Sequence, residues 1–166
     1  MVVLGIDPGI ARCGYGIIKK NGSTLKALDY GVITTSAKLP TEQRLKEICS
    51  ILEELIKKYS PEEVALEKVF YFKNQKTIII IGQVQGALML TLVKRGYSVN
   101  RYTPLQVKQA VSMYGRATKT QIQIMVQKIL NLKELPTPDD TADALAIAIT
   151  HAHSVRNNKL QAPNNK

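Results

Sequence analysis

The sequence predicts an α/β fold: a five-stranded mixed sheet in which three antiparallel strands come first and helices cover both faces. Strand patterns fill the first part of the chain, and helical periodicity alternates with short apolar runs in the rest. The resulting order is β-β-β-α-β-α-β-α-α-α. Parallel strands need crossover connections, so the later β-α units place helices on the two faces of one sheet.

The strands are indicated by apolar runs and by one turn signal. Val2–Ile6 is a continuous apolar run, typical of a strand covered on both faces. Gly14–Lys20 and Thr24–Ile33 are joined at Asn21-Gly22, a pair that favours a tight hairpin turn. The two remaining predicted strands are Glu63–Leu66 and Tyr97–Tyr102.

The helices are indicated by apolar residues at helical spacing and by signals at their ends. The predicted helices are Thr41–Tyr59, then Lys76–Arg95 ended by Gly96, one opened by Thr103-Pro104 and broken by Gly115, one opened by the capping box Thr118–Gln121, and one from Thr137-Pro138 to near His153. At 166 residues the chain fits a single domain, 1–154, followed by a polar tail, 155–166, that we expect to be disordered.

The charge balance predicts a polyanionic partner. The chain has 23 Lys and Arg against 13 Asp and Glu, a net charge of +10, and a pI near 9.6. DNA or RNA fits this balance best, because no basic amphipathic helix suited to a membrane surface stands out. Met1 leads directly into a strand, so we expect no signal peptide. Cys13 and Cys49 match neither a metal motif nor a disulfide framework, which favours reduced thiols in a cytoplasmic protein.

One uncharged segment, Thr77–Val93, raises the question of a membrane span. As a helix its 17 residues reach only about 25 Å, short of the roughly 30 Å hydrocarbon core. Gln83 and Gln85 would also be costly in lipid. A helix that is apolar on most faces is better explained by burial on two sides, one of them a partner subunit. The segment therefore predicts a homodimer.

Four acids occupy positions where apolar or turn residues would be expected. Asp7 and Glu67 each end a predicted strand, and Asp140 and Asp143 share one face of a helix at spacing i, i+3. Sites in such sheets lie outside the carboxyl ends of the strands. Asp7 alone also suits a turn and Asp140 alone also suits a helix cap, but Glu67 has no local structural explanation. Four carboxylates without His or Cys favour Mg²⁺ or Mn²⁺ over zinc.

The two histidines are a weaker signal. His151 lies eight residues beyond Asp143, about 12 Å along a helix, too far to complete the same site. We interpret His151 and His153 as residues near a helix C-terminus that complement its dipole.

Aromatic and basic residues are predicted to contact nucleic acid. Phe70, Phe72, Lys73 and Lys76 follow Glu67 closely, a pattern that suits stacking on unpaired bases and contacts with phosphate. The alternative for each phenylalanine is a place in the core. Further along the chain, the same role is predicted for Lys119 at a helix start, for Lys108 and for Arg116, although a solvated surface charge remains the alternative for each lysine.

Together these residues resemble the RuvC family of Holliday-junction resolvases from residue 3 to about residue 153. The matching stretches are Gly5-Ile6-Asp7-Pro8-Gly9 with Gly14-Tyr15-Gly16, Glu67-Lys68-Val69-Phe70 with Lys73-Asn74, Gln106-Val107-Lys108-Gln109, and residues 140–148. Lys68 stands where many members have Gln, and Asp139 adds an acid beside the site. Some members have His at one of the last two acidic positions, where this chain has Asp at both.

The resemblance implies a ribonuclease-H-like fold, a homodimer and Mg²⁺-dependent nicking of four-way DNA junctions in recombination and repair, beside the branch-migration proteins RuvA and RuvB. It places the catalytic, metal-binding carboxylates at Asp7, Glu67, Asp140 and Asp143. It also implies roles in DNA handling for Phe70, Lys108 and Lys119.

These observations predict an endonuclease that cuts phosphodiesters with two metal ions and leaves 5′-phosphate ends. Asp7 would bridge the ions, Glu67 would hold one, and Asp140 and Asp143 the other. Two alternatives stay open. A junction-binding protein without catalysis would keep the basic residues but has no need of four acids. An actin- or sugar-kinase-like nucleotide binder would need a second domain, for which 166 residues leave no room.

Overall fold

The computed structural model describes residues 1–68 and 75–160. Its strands are β1 (Val2–Asp7), β2 (Arg12–Asn21), β3 (Thr24–Thr34), β4 (Glu63–Glu67) and β5 (Val99–Tyr102). They form one sheet in the order β3-β2-β1-β4-β5. The first three strands pair antiparallel, while β4 is parallel to both β1 and β5. The predicted five-stranded mixed sheet is confirmed.

The helices are α1 (Thr41–Tyr59), α2 (Gln75–Lys94), α3 (Pro104–Ser112), α4 (Lys119–Leu130) and α5 (Asp139–Leu160). The bounds of α1 agree with the prediction. Capping boxes at Thr103 and Thr118 begin α3 and α4. Each threonine hydroxyl accepts a backbone N–H three residues on, and the glutamine at that position bonds back to the cap.

Several predicted ends differ from those in the structure by one or more residues, and three of the differences have a clear physical reason. β5 begins at Val99 rather than Tyr97, because the Tyr97 N–H donates to the Leu92 carbonyl and closes the end of α2. α3 ends before Gly115, since Met113 adopts the left-handed conformation at φ 59° and serves as the cap. α5 continues to Leu160, beyond the end expected near His153 and into the tail expected to be disordered. Polar residues without Gly or Pro do not stop a helix, and the next proline in the sequence is Pro163.

Two cores lie on opposite faces of the sheet. One face is covered by α3, α4 and α5, with Leu145, Ile147 and Ile149 fully buried in the middle of α5. The other face is covered by α1 and α2, through residues such as Leu52 and Leu88. The sheet is thus sandwiched between two helical layers, as predicted.

α2 buries only one side of its surface. Val84, Leu88 and Leu92 are fully buried against the sheet. Of the described residues, those of one helix, Thr77–Lys94, have the length and composition of a membrane span, and 22% of that window is buried within the chain. These three residues mark the side of α2 that packs in the core of this chain. The opposite side of the helix is apolar and exposed.

α5 lies unusually close to the sheet because glycines face it. A Cβ added to Gly5 of β1 would lie 2.6 Å from the Ala148 nitrogen, and one added to Gly16 of β2 would lie 2.9 Å from the Leu145 nitrogen. No side chain fits between helix and sheet at these positions, so the backbones are in contact. The close packing carries the first turn of α5 over the end of β1.

Gly5→Ala is therefore expected to destabilise the protein by about 1–3 kcal/mol, the usual cost of overpacking a rigid core. The new methyl group would meet backbone atoms of α5, which cannot rotate away. Urea unfolding measures the change: the midpoint of the variant should be lower than that of wild type, with the same dependence of the unfolding free energy on urea concentration. A midpoint equal to that of wild type would show that α5 moves freely against the sheet.

Candidate active site

Two of the four predicted acids stand at the ends of neighbouring strands. Asp7 is the last residue of β1, and Glu67 is the last residue of β4. The strands are parallel and pair Ile6 with Leu66, so their carboxyl ends meet at one edge of the sheet. Neighbouring strands lie about 4.8 Å apart, which places the two carboxylates side by side.

The other two acids come from the start of α5. Asp140 is in its first turn, and Asp143 follows three residues later on the same face. Gly14 is the register partner of Asp7 in β2, and a Cβ added there would lie 2.8 Å from the Asp140 carbonyl carbon. The absence of a side chain at Gly14 thus lets α5 begin directly beside Asp7. The structure brings all four predicted acids to one place.

Burial and mutual repulsion make three of these carboxylates, those of Asp7, Glu67 and Asp143, resist ionisation. Burial raises the pKa of Asp7 to about 8, with further increases from Glu67, Asp143 and Asp140. Burial, followed by repulsion from Asp143, raises the pKa of Glu67 to about 7. Burial also raises the pKa of Asp143, and nearby Lys119 opposes that shift. These three acids therefore hold their protons more tightly than usual unless a cation offsets the negative charge of the ionised forms.

Two basic side chains lie against the acids. The Lys119 Nζ is 2.8 Å from Asp139 Oδ2 and 3.9 Å from Asp143 Oδ2. The hydrogen bond to Asp139 raises the pKa of Lys119, and the same bond lowers the pKa of Asp139. On the other side, Arg12 Nε is 3.0 Å from Asp140 Oδ2. Sequence reasoning missed Arg12 and the partner of Asp139, because neither contact follows a local spacing rule.

The donor set fits a divalent metal ion such as Mg²⁺ or Mn²⁺. All four side chains offer hard carboxylate oxygens. The Asp140 Oδ2 is buried and accepts no hydrogen bond, although Arg12 Nε lies 3.0 Å away. Within residues 1–68 and 75–160, however, no three His, Cys, Asp or Glu side chains are already arranged to hold one ion.

The acids open onto a cleft that basic residues border. A cavity of about 150 Å³ is lined by Glu67, Asp143, Lys108 and Lys119, together with apolar residues of α3 and α4. Lys119 is exposed at the start of α4, and Lys108 is partly buried on α3. Both predicted lysines therefore lie beside the carboxylates, where a phosphate would meet them.

The other residues that were predicted to contact DNA are either outside this cleft or not fully described by the structure. Arg116 is exposed in the turn between α3 and α4 and does not line this cleft. Lys76 is the second residue of α2, but the position of its side chain is not described. Phe70, Phe72 and Lys73 lie outside the described residues.

Gln85 supports the site from the other face of the sheet. Its buried side chain donates a hydrogen bond of 2.6 Å from Nε2 to the backbone carbonyl of Glu67. The bond ties the middle of α2 to the end of β4. The sequence shows Gln85 as a polar residue within an apolar helix. That position served only as an argument against a membrane span, and the hydrogen bond to Glu67 was not predicted.

The interpretation of His151 as a residue near the end of a helix is wrong. His151 lies mid-helix, because α5 continues to Leu160, and it is only 3% exposed. Its Nδ1 is 2.8 Å from the Tyr102 hydroxyl, and its Nε2 is 3.1 Å from Glu63 Oε2. The ring therefore links α5 to β4 and β5 instead of complementing a helix end.

A mixed sheet of this order, with carboxylates converging at the ends of β1 and β4 and on α5, is the architecture of a ribonuclease-H-like nuclease. Comparison with known proteins supports this class of protein and identifies one family within it. The family model described as "Crossover junction endodeoxyribonuclease RuvC" matches residues 3–151. The chain belongs to the RuvC family: it is an endodeoxyribonuclease, a hydrolase that acts on DNA in recombination and repair.

The relatives match over nearly the whole chain. The crossover junction endodeoxyribonuclease RuvC of Caldanaerobacter subterraneus subsp. tengcongensis is 53% identical over 161 residues, covering 97% of this chain and 96% of that protein. The RuvC of Alkaliphilus metalliredigens is 51% identical, covering 93% and 94%. T. thermophilus RuvC, solved in complex with a Holliday junction substrate, superposes with a TM-score of 0.86 at 37% identity, covering 94% and 96%. The predicted ribonuclease-H-like fold is confirmed.

The shifted pKa of Asp7 leads to a prediction about metal-free stability. Asp in an unfolded chain titrates near pH 3.8, whereas Asp7 in the fold titrates near pH 8. The contribution of Asp7 to stability is therefore fully present below pH 4 and is lost as the pH rises towards 8, by at most about 1.4 kcal/mol per pH unit. Asp7→Asn removes this titration, so it should raise Tm in EDTA, and raise it more near pH 8 than near pH 5.

The Tm values of wild type and Asp7→Asn are measured by thermal unfolding between pH 5 and pH 8. Mg²⁺ added near pH 8 should then raise the Tm of wild type more than that of the variant, because a ligand stabilises only the protein that binds it. Parallel pH profiles for the two proteins would show that Asp7 is not the buried charge that limits stability.

Proposed function

We propose that the protein resolves Holliday junctions by paired symmetric cuts, with Asp7, Glu67, Asp140 and Asp143 as its catalytic carboxylates and two Mg²⁺ ions as cofactors. The observation that carries this proposal is the meeting of acids from β1, β4 and α5 at one sheet edge of a basic chain. Mn²⁺ offers the same coordination chemistry and is expected to substitute.

Each carboxylate has a position that suits a separate role. Asp7 interacts electrostatically with the other three acids and would help to hold both ions, together with Glu67 at the end of β4 for one and Asp140 and Asp143 on α5 for the other. The chemistry that such ions would supply is a lowered pKa for the attacking water and an offset for the charge on the leaving oxygen. With the 3′ oxygen as the leaving group, hydrolysis gives a 5′-phosphate and a 3′-hydroxyl.

The basic residues around the acids would hold the DNA strand. Lys108 and Lys119 line the cleft with Glu67 and Asp143, so they would contact phosphates on either side of the scissile bond. Arg116 is exposed on the turn that joins their helices and would add a further contact with phosphate. Stacking of Phe70 or Phe72 on an unpaired base and phosphate contacts by Lys73 and Lys76 stay predictions from the sequence.

A catalytic role explains the acids better than DNA binding alone. Burial and repulsion raise the pKa values of Asp7, Glu67 and Asp143, and buried carboxylates of this kind lower the stability of the fold at neutral pH. A binding protein gains nothing from that cost. Family membership over residues 3–151 likewise disfavours the nucleotide-binder alternative.

The exposed side of α2 is the candidate dimer interface. Ile79, Leu90 and Val93 are 62%, 57% and 61% exposed, and they follow one another along one side of the helix. A Cβ at Gly82 or Gly86 would meet no atom within 4 Å, so the surface there is open. Two copies joined here would present two sites to two like strands of a junction. Partnership with RuvA and RuvB and a cytoplasmic location remain predictions by family resemblance.

Asp7→Asn is expected to abolish cutting of a synthetic four-way junction while leaving its affinity largely unchanged. The carboxylate would bind metal, whereas basic residues supply most of the affinity for phosphate. The assay maps nicks with and without Mg²⁺ and measures binding by gel shift at fixed salt. Mg²⁺-dependent cleavage retained by this variant would overturn the assignment of the site.

Leu90→Asp is expected to convert a dimer into monomers, because it places a charge in the middle of the proposed interface. Sedimentation at micromolar concentration measures the change. Leu135→Asp, at a 42% exposed leucine between α4 and α5, is the matched control and should leave the dimer intact. Met89 of the same helix packs partly buried against the core, so Met89→Asp would report stability instead. A monomeric wild type would contradict the dimer proposal.

A further inference from the structure

Arg12 joins the first hairpin to the catalytic helix. It is the first residue of β2, five positions after Asp7 in sequence, and its Nε lies 3.0 Å from Asp140 Oδ2 on α5. The side chain of Arg12 is 54% exposed, whereas that of Asp140 is 20% exposed. One end of this ion pair therefore belongs to the site, and the other reaches solvent.

The contact is electrostatic and easily replaced. Asp140 Oδ2 is buried without a hydrogen bond, so Arg12 offsets its charge but does not satisfy its lone pairs. Ion pairs with one largely exposed partner contribute little, about 0–1 kcal/mol. A carboxylate oxygen left with free lone pairs is still available to a ligand that approaches it directly.

The guanidinium has room to leave. Arg12 and Asp140 line an open cleft of about 340 Å³, whose far wall is formed by Thr77, Ile80 and Ile81 of α2. Among the residues that the structure describes, Asp140 is the only carboxylate that lines this cleft, so a displaced Arg12 would turn towards solvent. Lys119 lies on the opposite side of the acids, against Asp139 and Asp143.

We propose that Arg12 is an internal counter-ion that occupies the Asp140 carboxylate until a divalent metal ion displaces it. Arg12 then competes with metal for one ligand, lowering the affinity of the site while limiting repulsion in the metal-free protein. The inference rests on the proposed function, since it requires the acids to bind a divalent ion. Arg12 would thus set the metal affinity of the site and would do so without contacting DNA.

The test is Mn²⁺ binding in the absence of DNA, measured by the loss of the free-ion electron paramagnetic resonance signal. Arg12→Gln should bind Mn²⁺ roughly 1.5- to 5-fold more tightly than wild type, the range set by a partly exposed ion pair. Arg12→Lys keeps the charge and should remain closer to wild type. The Tm of metal-free Arg12→Gln should be lower than that of wild type, and its rise on adding Mn²⁺ should be larger.

Arg95→Gln is the matched control. Arg95 is 52% exposed and pairs with Glu53 at 3.1 Å on another surface, so the variant loses the same net charge and the same kind of contact. Its Mn²⁺ affinity should equal that of wild type. Equal affinities for Arg12→Gln and Arg95→Gln, or weaker binding by Arg12→Gln in a protein with a native circular dichroism spectrum, would overturn the inference. If wild type binds no Mn²⁺ at all, the proposed function itself fails.

Discussion

The close approach of α5 to the sheet is the constraint on which the site depends. Asp140 and Asp143 lie on a helix, and Asp7 ends a strand beneath it, so their distance is set by the spacing of the two layers. A side chain on Gly5, Gly14 or Gly16 would hold the layers apart, because each faces α5 backbone. The glycines near the first motif are thus required by packing, and the packing is what assembles the carboxylates.

The same proximity creates an electrostatic conflict. Burial raises the pKa values of Asp7 and Glu67 to about 8 and about 7, so the metal-free site holds charge that the fold disfavours. Lys119 and Arg12 relieve part of it from opposite sides. Basic side chains thus lie beside the same carboxylates that are the candidate metal ligands.

Local patterns predicted the sheet, the helices and the four acids, because each depends on signals a few residues apart. Asp7 and Glu67 followed from apolar strands that end in an acid, and Thr118 from its capping box. The missed features depend on contacts between distant segments. Arg12 meets Asp140, and His151 meets Tyr102 and Glu63, across separations of 49 or more residues. No periodicity encodes such pairs, which is also why His151 was misinterpreted.

α2 links the site to the proposed dimer interface. Its buried side donates the Gln85 hydrogen bond to the backbone of Glu67, and its first turns form one wall of the cleft that holds Arg12. Its other side presents Ile79, Leu90 and Val93 to solvent. A rigid helix transmits displacement along its whole length, so a partner seated on the exposed side would restrain the end of β4 as well. Dimerisation would then help to hold Glu67 in place, and the two sites of a dimer would be positioned by the same pair of helices that joins the subunits.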